Sequence, residues 1–367
     1  MAVQTETQAP TRKLASKVID TDVHPVVAGG YSDLFPYMPK AWREKLAALG
    51  RTDLAGAVAG RLQQPSNGAM PDAIPPGGGK PGSDPDFLKK DLLDRYDIEY
   101  GLAIAVEIAR TAGAMTNPDQ AAVVISALND YFLERWADKR LRYALGVAPL
   151  DPELAVKEIH RHGKNPLVAA VYLPILNIRL GKRHYYPIYE AALEYGLPIT
   201  THPGAGENAF AGSAEFAVGI QEYYIERYSE WSQIPWSCTT SLIFSGTFDR
   251  YPDLRILYTE WGFSWAMPLM WRMDKAWREV RFEVPWVKKW PSEYVREHIR
   301  FSTQPIDEPH DPKHLDWLIE NYFADTLMFA TDYPHWDSDF PDKVLKTLSE
   351  ETRQKVFYDN AKSVLRL

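Results

Sequence analysis

The sequence predicts an α/β fold: a distorted (β/α)8 TIM-type barrel in a single domain, with a long insertion after the first strand. Short β-rich apolar runs alternate with segments of helical periodicity, and eight such runs can be counted. Eight alternations favour a closed parallel barrel over an open sheet. The 367 residues also suit a single barrel that carries insertions.

The predicted strands are the β-rich apolar runs themselves. They lie near 17–22, 101–106, 143–148, 168–173, 198–202, 255–260, 299–303 and 327–332. Three of the intervening helices start with a capping residue followed by proline, which is typical of a helix N-terminus. These starts are Asn117-Pro118, Asp151-Pro152 and Asp311-Pro312.

Three regions do not follow the alternation. The first, 1–16, has no apolar segment of a signal peptide, and we expect a disordered tail before a barrel domain at 17–367. The second, about 50–88, is rich in proline and glycine and is either a solvated surface loop or a lid over the barrel mouth. The third, 210–236, is dense in aromatic residues, which usually indicate packing, with only some lining a pocket.

Composition excludes several classes of function. The formal net charge of −8 gives no basic surface for nucleic acid, and no apolar run is long enough to cross a bilayer. The one cysteine, Cys238, excludes an internal disulfide and a thiolate metal site, and it suits a reducing compartment. We therefore expect a soluble cytoplasmic protein that acts on a small-molecule substrate, with no nucleic-acid or membrane partner.

Polar side chains follow five of the predicted strands, at the end of the barrel where active sites of this fold are built. At the end of the first strand stand Asp22 and His24, at the end of the fifth His202, of the sixth Glu260, of the seventh Gln304 and of the eighth Asp332. Imidazole and carboxylate ligands suit a divalent ion such as zinc or manganese. Each residue alone has an ordinary structural explanation, but the joint pattern predicts a metal site.

The motifs IDTDVHP, TTHPG, FATDYPHWD and DNAKSVLRL resemble the amidohydrolase superfamily in its amidohydrolase-2 branch. That branch contains aminocarboxymuconate-semialdehyde and γ-resorcylate decarboxylases as well as hydrolases. The resemblance covers nearly the whole chain from Val18 and implies a distorted barrel with one divalent metal ion, Zn or Mn. The positions that match its metal ligands are Asp22, His24, His202 and Asp332. Asp20 matches no ligand, and we expect it to form hydrogen bonds deeper in the barrel.

The resemblance favours non-oxidative decarboxylation of a small aromatic or unsaturated carboxylic acid, in which Asp332 protonates carbon. Hydrolysis of a small amide, lactone or other cyclic substrate is the alternative, in which Asp332 accepts a proton from water. Glu260 stands where the decarboxylases carry histidine, so their mechanism is not transferred intact. We expect Asp332 and Glu260 to be catalytic, because neighbouring carboxylates raise one pKa of the pair and let it hold a proton.

Three further residues are predicted to bind substrate. Gln304 is expected to donate to a substrate oxygen, and His335 and Trp336 to form the pocket rim. Alternatively, Trp336 only packs and the following Asp337 caps the last helix.

The segment 271–290 carries four tryptophans among charged residues. It either packs against the barrel or forms a homodimer surface, and we expect a homodimer. A binding protein that has lost turnover is a further reading, against which the complete ligand set argues.

Overall fold

The computed structural model describes residues 17–48, 50, 64–204, 214–215, 219 and 221–367. Its eight strands are parallel, and each pairs with the next along the chain, which confirms the predicted barrel. The predicted tail, 1–16, and part of the predicted insertion, 51–63, lie outside the described residues. No helix among the described residues is long and apolar enough to cross a membrane.

The strands occur in the predicted order. They are β1 Val18–Val23, β2 Ile98–Ala103, β3 Leu141–Gly146, β4 Val168–Tyr172, β5 Ile199–Thr201, β6 Ile256–Tyr258, β7 Ile299–Ser302 and β8 Leu327–Met328. β2 begins three residues earlier than predicted, because the apolar run after it continues into the next helix and does not mark the strand end.

Helices fill the connections between the strands. They are α1 Tyr31–Leu34, α2 Lys40–Ala48, α3 Pro85–Leu88, α4 Val106–Ala114, α5 Pro118–Arg135, α6 Pro152–His162, α7 Tyr186–Glu194, α8 Tyr224–Glu230, α9 Gln233–Phe244, α10 Thr247–Arg250, α11 Ala266–Val280, α12 Pro291–His298, α13 Pro312–Leu318, α14 Glu350–Gln354 and α15 Asn360–Val364. Three π-helical segments continue α3, α13 and α14: Lys89–Asp94, Ile319–Phe323 and Lys355–Asp359.

The three predicted helix starts are confirmed by their caps. The side chains of Asn117, Asp151 and Asp311 accept hydrogen bonds from backbone N–H groups in the first turns of α5, α6 and α13. Each cap satisfies N–H groups that have no partner within the helix. One hydrophobic cluster includes side chains from every strand and from the surrounding helices, so the described residues share a single core.

The barrel closes between β8 and β1 through one β-bridge, Val23–Tyr333, and a short series of backbone hydrogen bonds. These bonds run from Thr21 N to Phe329 O at 3.0 Å, from Asp332 N to Asp22 O at 3.1 Å and from His24 N to Tyr333 O at 2.8 Å. We call this contact the β1–β8 seam.

Asp20 holds the seam together from inside the barrel. One of its carboxylate oxygens accepts from Thr331 N at 3.0 Å and the other from Thr331 Oγ1 at 2.6 Å. This side chain takes the place of a backbone acceptor, which is one reason why β8 is shorter than the predicted 327–332. The expectation that Asp20 forms hydrogen bonds deeper in the barrel is thereby confirmed.

We expect Asp20→Ala to lower the free energy of unfolding of the metal-free protein by about 3 kcal/mol, because the buried N–H of Thr331 loses its acceptor. The matched control is Asp316→Ala, which removes a solvent-accessible bond from Thr347 Oγ1. Its effect should stay within about 0.5 kcal/mol. Denaturant unfolding measures both variants, and equal losses would show that the Asp20 contact does not stabilise the seam.

Candidate metal centre

The structure brings the four predicted metal ligands together at the carboxyl ends of the strands. Ligand atoms of Asp22, His24, His202 and Asp332 all lie within 4.8 Å of one another, and all four side chains are buried. Asp22 belongs to β1 and His24 follows it directly, while His202 follows β5. Asp332 follows β8 and reaches the cluster through the β1–β8 seam.

Both histidines have the orientation of a metal ligand. Their Nδ1 atoms face backbone carbonyls, that of Ile104 at 2.7 Å from His24 and that of Pro203 at 2.5 Å from His202. A carbonyl only accepts, so Nδ1 carries a proton and Nε2 points into the cluster, where it would bind a metal ion through its lone pair once the ring is neutral. Nε2 of His24 lies 2.7 Å from Asp332 Oδ1, so the candidate ligand atoms converge.

Several buried atoms of the cluster have charged neighbours but form no hydrogen bond of good geometry to a described residue. They are both carboxylate oxygens of Asp22, Oδ2 of Asp332 and Nε2 of His202. The Asp22 oxygens lie 3.1 and 3.4 Å from the Nε2 atoms of His24 and His202. Leaving buried carboxylate oxygens without donors is costly, and a cation at their centre offsets that cost. Two imidazoles and two carboxylates are a donor set that fits a divalent ion of the zinc or manganese type.

The pKa shifts of Asp332 and His24 reflect the concentration of carboxyl groups in the cluster. Burial raises the pKa of Asp332 to about 8, although His24 favours its ionised form. Burial opposes a charge on His24, but the carboxylates of Asp22 and Asp332 outweigh it and raise the His24 pKa. A positive charge within the cluster would stabilise both carboxylates in their ionised form.

Glu260, predicted to be catalytic, lies beside this cluster. Its Oε2 is 2.8 Å from His202 Nε2, and its backbone N–H donates to Ser302 Oγ at 2.8 Å. Burial and the nearby Asp332 raise its pKa to about 7. Glu260 and Asp332 both have a φ of 61°, which is uncommon for residues other than glycine and is found at functional sites.

His335 contacts both Asp332 and His24 of the cluster. Its Nδ1 lies 2.7 Å from Asp332 Oδ1, and its ring stacks on His24 with centroids 4.4 Å apart. Burial and the adjacent His24 lower its pKa to about 3, so the imidazole is neutral. His24, Glu260, Asp332 and His335 form a second group of ligand atoms within 4.8 Å, which overlaps the first.

Gln304 and Trp336 lie in a neighbouring polar and aromatic region. Gln304 Nε2 donates to Asp337 Oδ2 at 3.1 Å, and Tyr228 OH donates to the same oxygen at 2.7 Å. Asp337 therefore accepts hydrogen bonds from two side chains near the barrel mouth. The alternative that it caps a C-terminal helix is wrong for α14, because the cap of that helix is Ser349. The half-buried ring of Trp336 lies 5.9 Å from that of Tyr228.

One face of α8 contributes residues that the sequence did not assign to the site. This face carries Tyr224, Tyr228 and the adjoining Trp231. Their spacing of i, i+4 and i+7 is visible in the sequence and would have predicted a shared helix face. Tyr224 and Tyr228 both contact Trp336. Part of the aromatic region 210–236 therefore borders the candidate site, in addition to packing against its neighbours.

The described part of the predicted insertion packs against segments that carry the ligands. Met70 N donates to Pro334 O at 2.9 Å and Val26 N donates to Gly82 O at 2.7 Å. A Cβ at Gly82 would lie 2.5 Å from His24 O, so the chain can approach only because this residue is glycine. The described part of the insertion is therefore anchored to the barrel near Met70 and Gly82, while 76–80 between these anchors is exposed.

Comparison with known proteins agrees with this geometry. A model of the amidohydrolase family matches residues 19–367. No curated protein sequence matches the chain. Among solved structures, an amidohydrolase from Mycobacterium avium subsp. paratuberculosis is 18% identical with a TM-score of 0.67, covering 96% of this chain and 100% of that chain.

Two similar structures are decarboxylases. A dihydroxybenzoic acid decarboxylase from Polaromonas sp., with bound manganese and 2-nitroresorcinol, is 18% identical with a TM-score of 0.62, covering 95% of this chain and 96% of that chain. The other is a 5-carboxyvanillate decarboxylase from Novosphingobium aromaticivorans, complexed with manganese and 4-hydroxy-3-methoxy-5-nitrobenzoic acid. It is 16% identical with a TM-score of 0.64, and the match covers 96% of this chain and 97% of that chain. At these identities the likeness shows a shared fold.

We expect Gly82→Ala to weaken manganese binding about tenfold, because the new methyl group displaces the His24 backbone. Gly78→Ala is the matched control, since Gly78 also has a positive φ, +83°, but nothing within 4 Å of its Cβ position. Titration calorimetry of the metal-free protein measures both affinities. Equal affinities for the two variants would show that the Gly82 contact does not position the ligand.

Proposed function

The chain belongs to the amidohydrolase family and is a metal-dependent enzyme of that superfamily, and from this premise we propose that it is a decarboxylase. Its substrate would be a small aromatic or unsaturated carboxylic acid, and the decarboxylation would be non-oxidative. The observation that carries the proposal is the position of Asp332, whose Oδ2 atom is buried in the candidate metal cluster and makes no hydrogen bond to a described residue. Burial favours the protonated form of this carboxyl group and a bound cation would oppose it, so Asp332 is placed to exchange a proton with a substrate beside the cluster.

We assign Asp22, His24, His202 and Asp332 as ligands of one divalent ion, zinc or manganese. Their convergence and their unpaired buried atoms support this assignment. When bound, the ion would supply positive charge that attracts an anionic substrate to this cluster.

Asp332 Oδ2 is the atom placed to move the proton. Oδ1 already contacts His24 Nε2 and His335 Nδ1, each at 2.7 Å, whereas Oδ2 makes no hydrogen bond to a described residue. The proton passes from Oδ2 to the substrate carbon that bears the carboxylate. The bond from that carbon to the carboxylate then breaks, its electron pair stays on the substrate, and carbon dioxide leaves.

Glu260, His335 and Trp336 take supporting roles in this proposal. Glu260 shares a proton with Asp332, because two nearby buried carboxylates are not both ionised easily. Neutral His335 donates through Nδ1 and orients Asp332. Trp336 offers a flat apolar surface to an unsaturated substrate.

Hydrolysis of a small amide, lactone or other cyclic substrate is the second candidate, and Glu260 favours it. A carboxylate 2.8 Å from His202 Nε2 can act as a base for an attacking water molecule. In that reaction the carboxylate pair has to be ionised at the start, which is the opposite of what decarboxylation requires.

Incubation of the metal-replete enzyme with pooled carboxylated aromatic acids tests the proposal, with released carbon dioxide as the readout. We expect carbon dioxide release, and a loss of about a thousandfold in kcat for Asp332→Asn. Asp316→Asn makes the same change at an aspartate of α13 whose hydrogen bond from Thr347 is exposed, and it serves as the control for the effects of the substitution itself. Metal-replete enzyme that releases no carbon dioxide but hydrolyses lactones or amides would replace the proposal with its alternative.

The pH dependence of Glu260→Gln separates the two reactions. If decarboxylation needs the protonated pair, kcat/KM of the wild type falls as the pH rises through about 7, where Glu260 loses its proton. Glutamine does not ionise, so in the variant this fall should move away from pH 7 and follow the titration of Asp332 alone. A wild-type profile that rises through the same pH would indicate hydrolysis, and an unchanged profile in Glu260→Gln would remove Glu260 from the mechanism.

We also propose that the protein is a cytoplasmic homodimer. Large apolar side chains along 271–290 are exposed, among them Trp271 at 52% and Phe282 at 76%. Exposed apolar surface of this kind is typical of an interface between copies. Cys238 is buried and unpaired, which suits a reducing compartment. Light scattering should give twice the chain mass of 41.8 kDa, and the monomer mass would contradict the dimer.

A further inference from the structure

Gln304 has a defined amide orientation at the mouth of the barrel. It follows β7, between the strands that lead to Glu260 and Asp332, and it is fully buried. Its Nε2 faces Asp337 Oδ2 at 3.1 Å and the Asp337 carbonyl oxygen at 3.4 Å. The carbonyl only accepts hydrogen bonds and the carboxylate also accepts from Tyr228, so the NH2 group has to point towards Asp337.

The opposite side of the amide has an unmet requirement. Gln304 Oε1 is buried and forms no hydrogen bond to any residue in the described part of the chain. An unpaired buried acceptor is costly, and a donor on a bound molecule recovers that cost. Discrimination against a ligand that lacks the donor follows from the same cost.

Asp337 keeps the amide in this orientation because it is held from a second element. Tyr228 of α8 donates its hydroxyl to Asp337 Oδ2 at 2.7 Å, and the Tyr228 ring lies 5.9 Å from Trp336. An aromatic surface therefore adjoins the polar anchor. Flat molecules with a polar substituent match this combination.

We propose that Gln304 is a specificity-determining residue that accepts a hydrogen bond from a hydroxyl or amino substituent of the substrate. This inference rests on the proposed function and narrows its substrate class to carboxylic acids that carry such a donor away from the carboxylate. The sequence suggested that Gln304 donates to substrate, whereas its contact with Asp337 favours the accepting role.

Ligand binding to the metal-replete enzyme tests the inference without turnover. The probes are 3- and 4-hydroxybenzoate, 3-aminobenzoate and the corresponding methoxybenzoates, with quenching of tryptophan fluorescence as the readout. We expect at least one hydroxy or amino ligand to bind about tenfold more tightly than its methoxy counterpart. In Gln304→Leu this preference should fall to about twofold or less.

Two further variants complete the design. Gln354→Leu is the matched control, because Gln354 also donates to an aspartate, Asp359, but on the exposed side of the last helices, and it should keep the preference. Asp337→Asn offers Gln304 a donor as well as acceptors, so the amide can turn and the preference should decrease.

The outcomes separate the inference from the proposed function. Absence of a preference in the wild type, or its retention in Gln304→Leu, would overturn the role of Gln304 even if carbon dioxide is released. Retention in Asp337→Asn alone would overturn the role of Asp337 in orienting the amide. A preference that depends on Gln304, together with no release of carbon dioxide, would support the role of Gln304 and reject decarboxylation.

Discussion

The β1–β8 seam is the constraint on which the site depends. Asp332 N donates to Asp22 O and His24 N donates to Tyr333 O, so the bonds that close the barrel also place three of the four candidate ligands. Asp20 fixes the same seam from below through Thr331. His202 reaches the cluster from β5, on the far side of the sheet order. A change in barrel closure therefore changes the distance between ligands directly.

Electrostatics then decides what the cluster can do. Asp22, Asp332 and Glu260 are three buried carboxylates that face the imidazoles of His24 and His202. Burial raises the pKa of Asp332 and Glu260, and a bound cation would oppose that rise. A bound cation favours ionised Asp332 and Glu260, whereas burial favours their protonated forms. Which effect is larger decides whether these carboxyl groups donate a proton, as decarboxylation requires, or accept one, as hydrolysis requires.

The fold and the gathering of the candidate ligands could be predicted from sequence because both follow local rules. Strand ends of a parallel barrel converge, so residues such as His202 and Asp332 meet although they are distant along the chain. Caps such as Asn117 mark helix starts in the same local way. Strand ends were less accurate, because apolar residues continue past β2 and the Asp20 side chain replaces backbone pairing after β8.

The contacts around the mouth could not be predicted because they depend on packing between remote segments. Tyr228 bonds Asp337 across 109 positions, and Gln64 bonds Tyr224 across 160. No periodicity within either segment encodes such a pairing. The orientation of the Gln304 amide is likewise a consequence of its neighbours, and residue type alone left both donor and acceptor roles open.

Elemental analysis of the purified chain and of four single alanine variants, at Asp22, His24, His202 and Asp332, tests the central claim most directly. If the four side chains share one cation, the wild type contains about one equivalent of zinc or manganese per chain, and each variant loses most of it. Full metal content in any folded variant would show that its side chain is not a ligand. Absence of metal from wild-type protein that has been supplied with both ions would contradict the account as a whole.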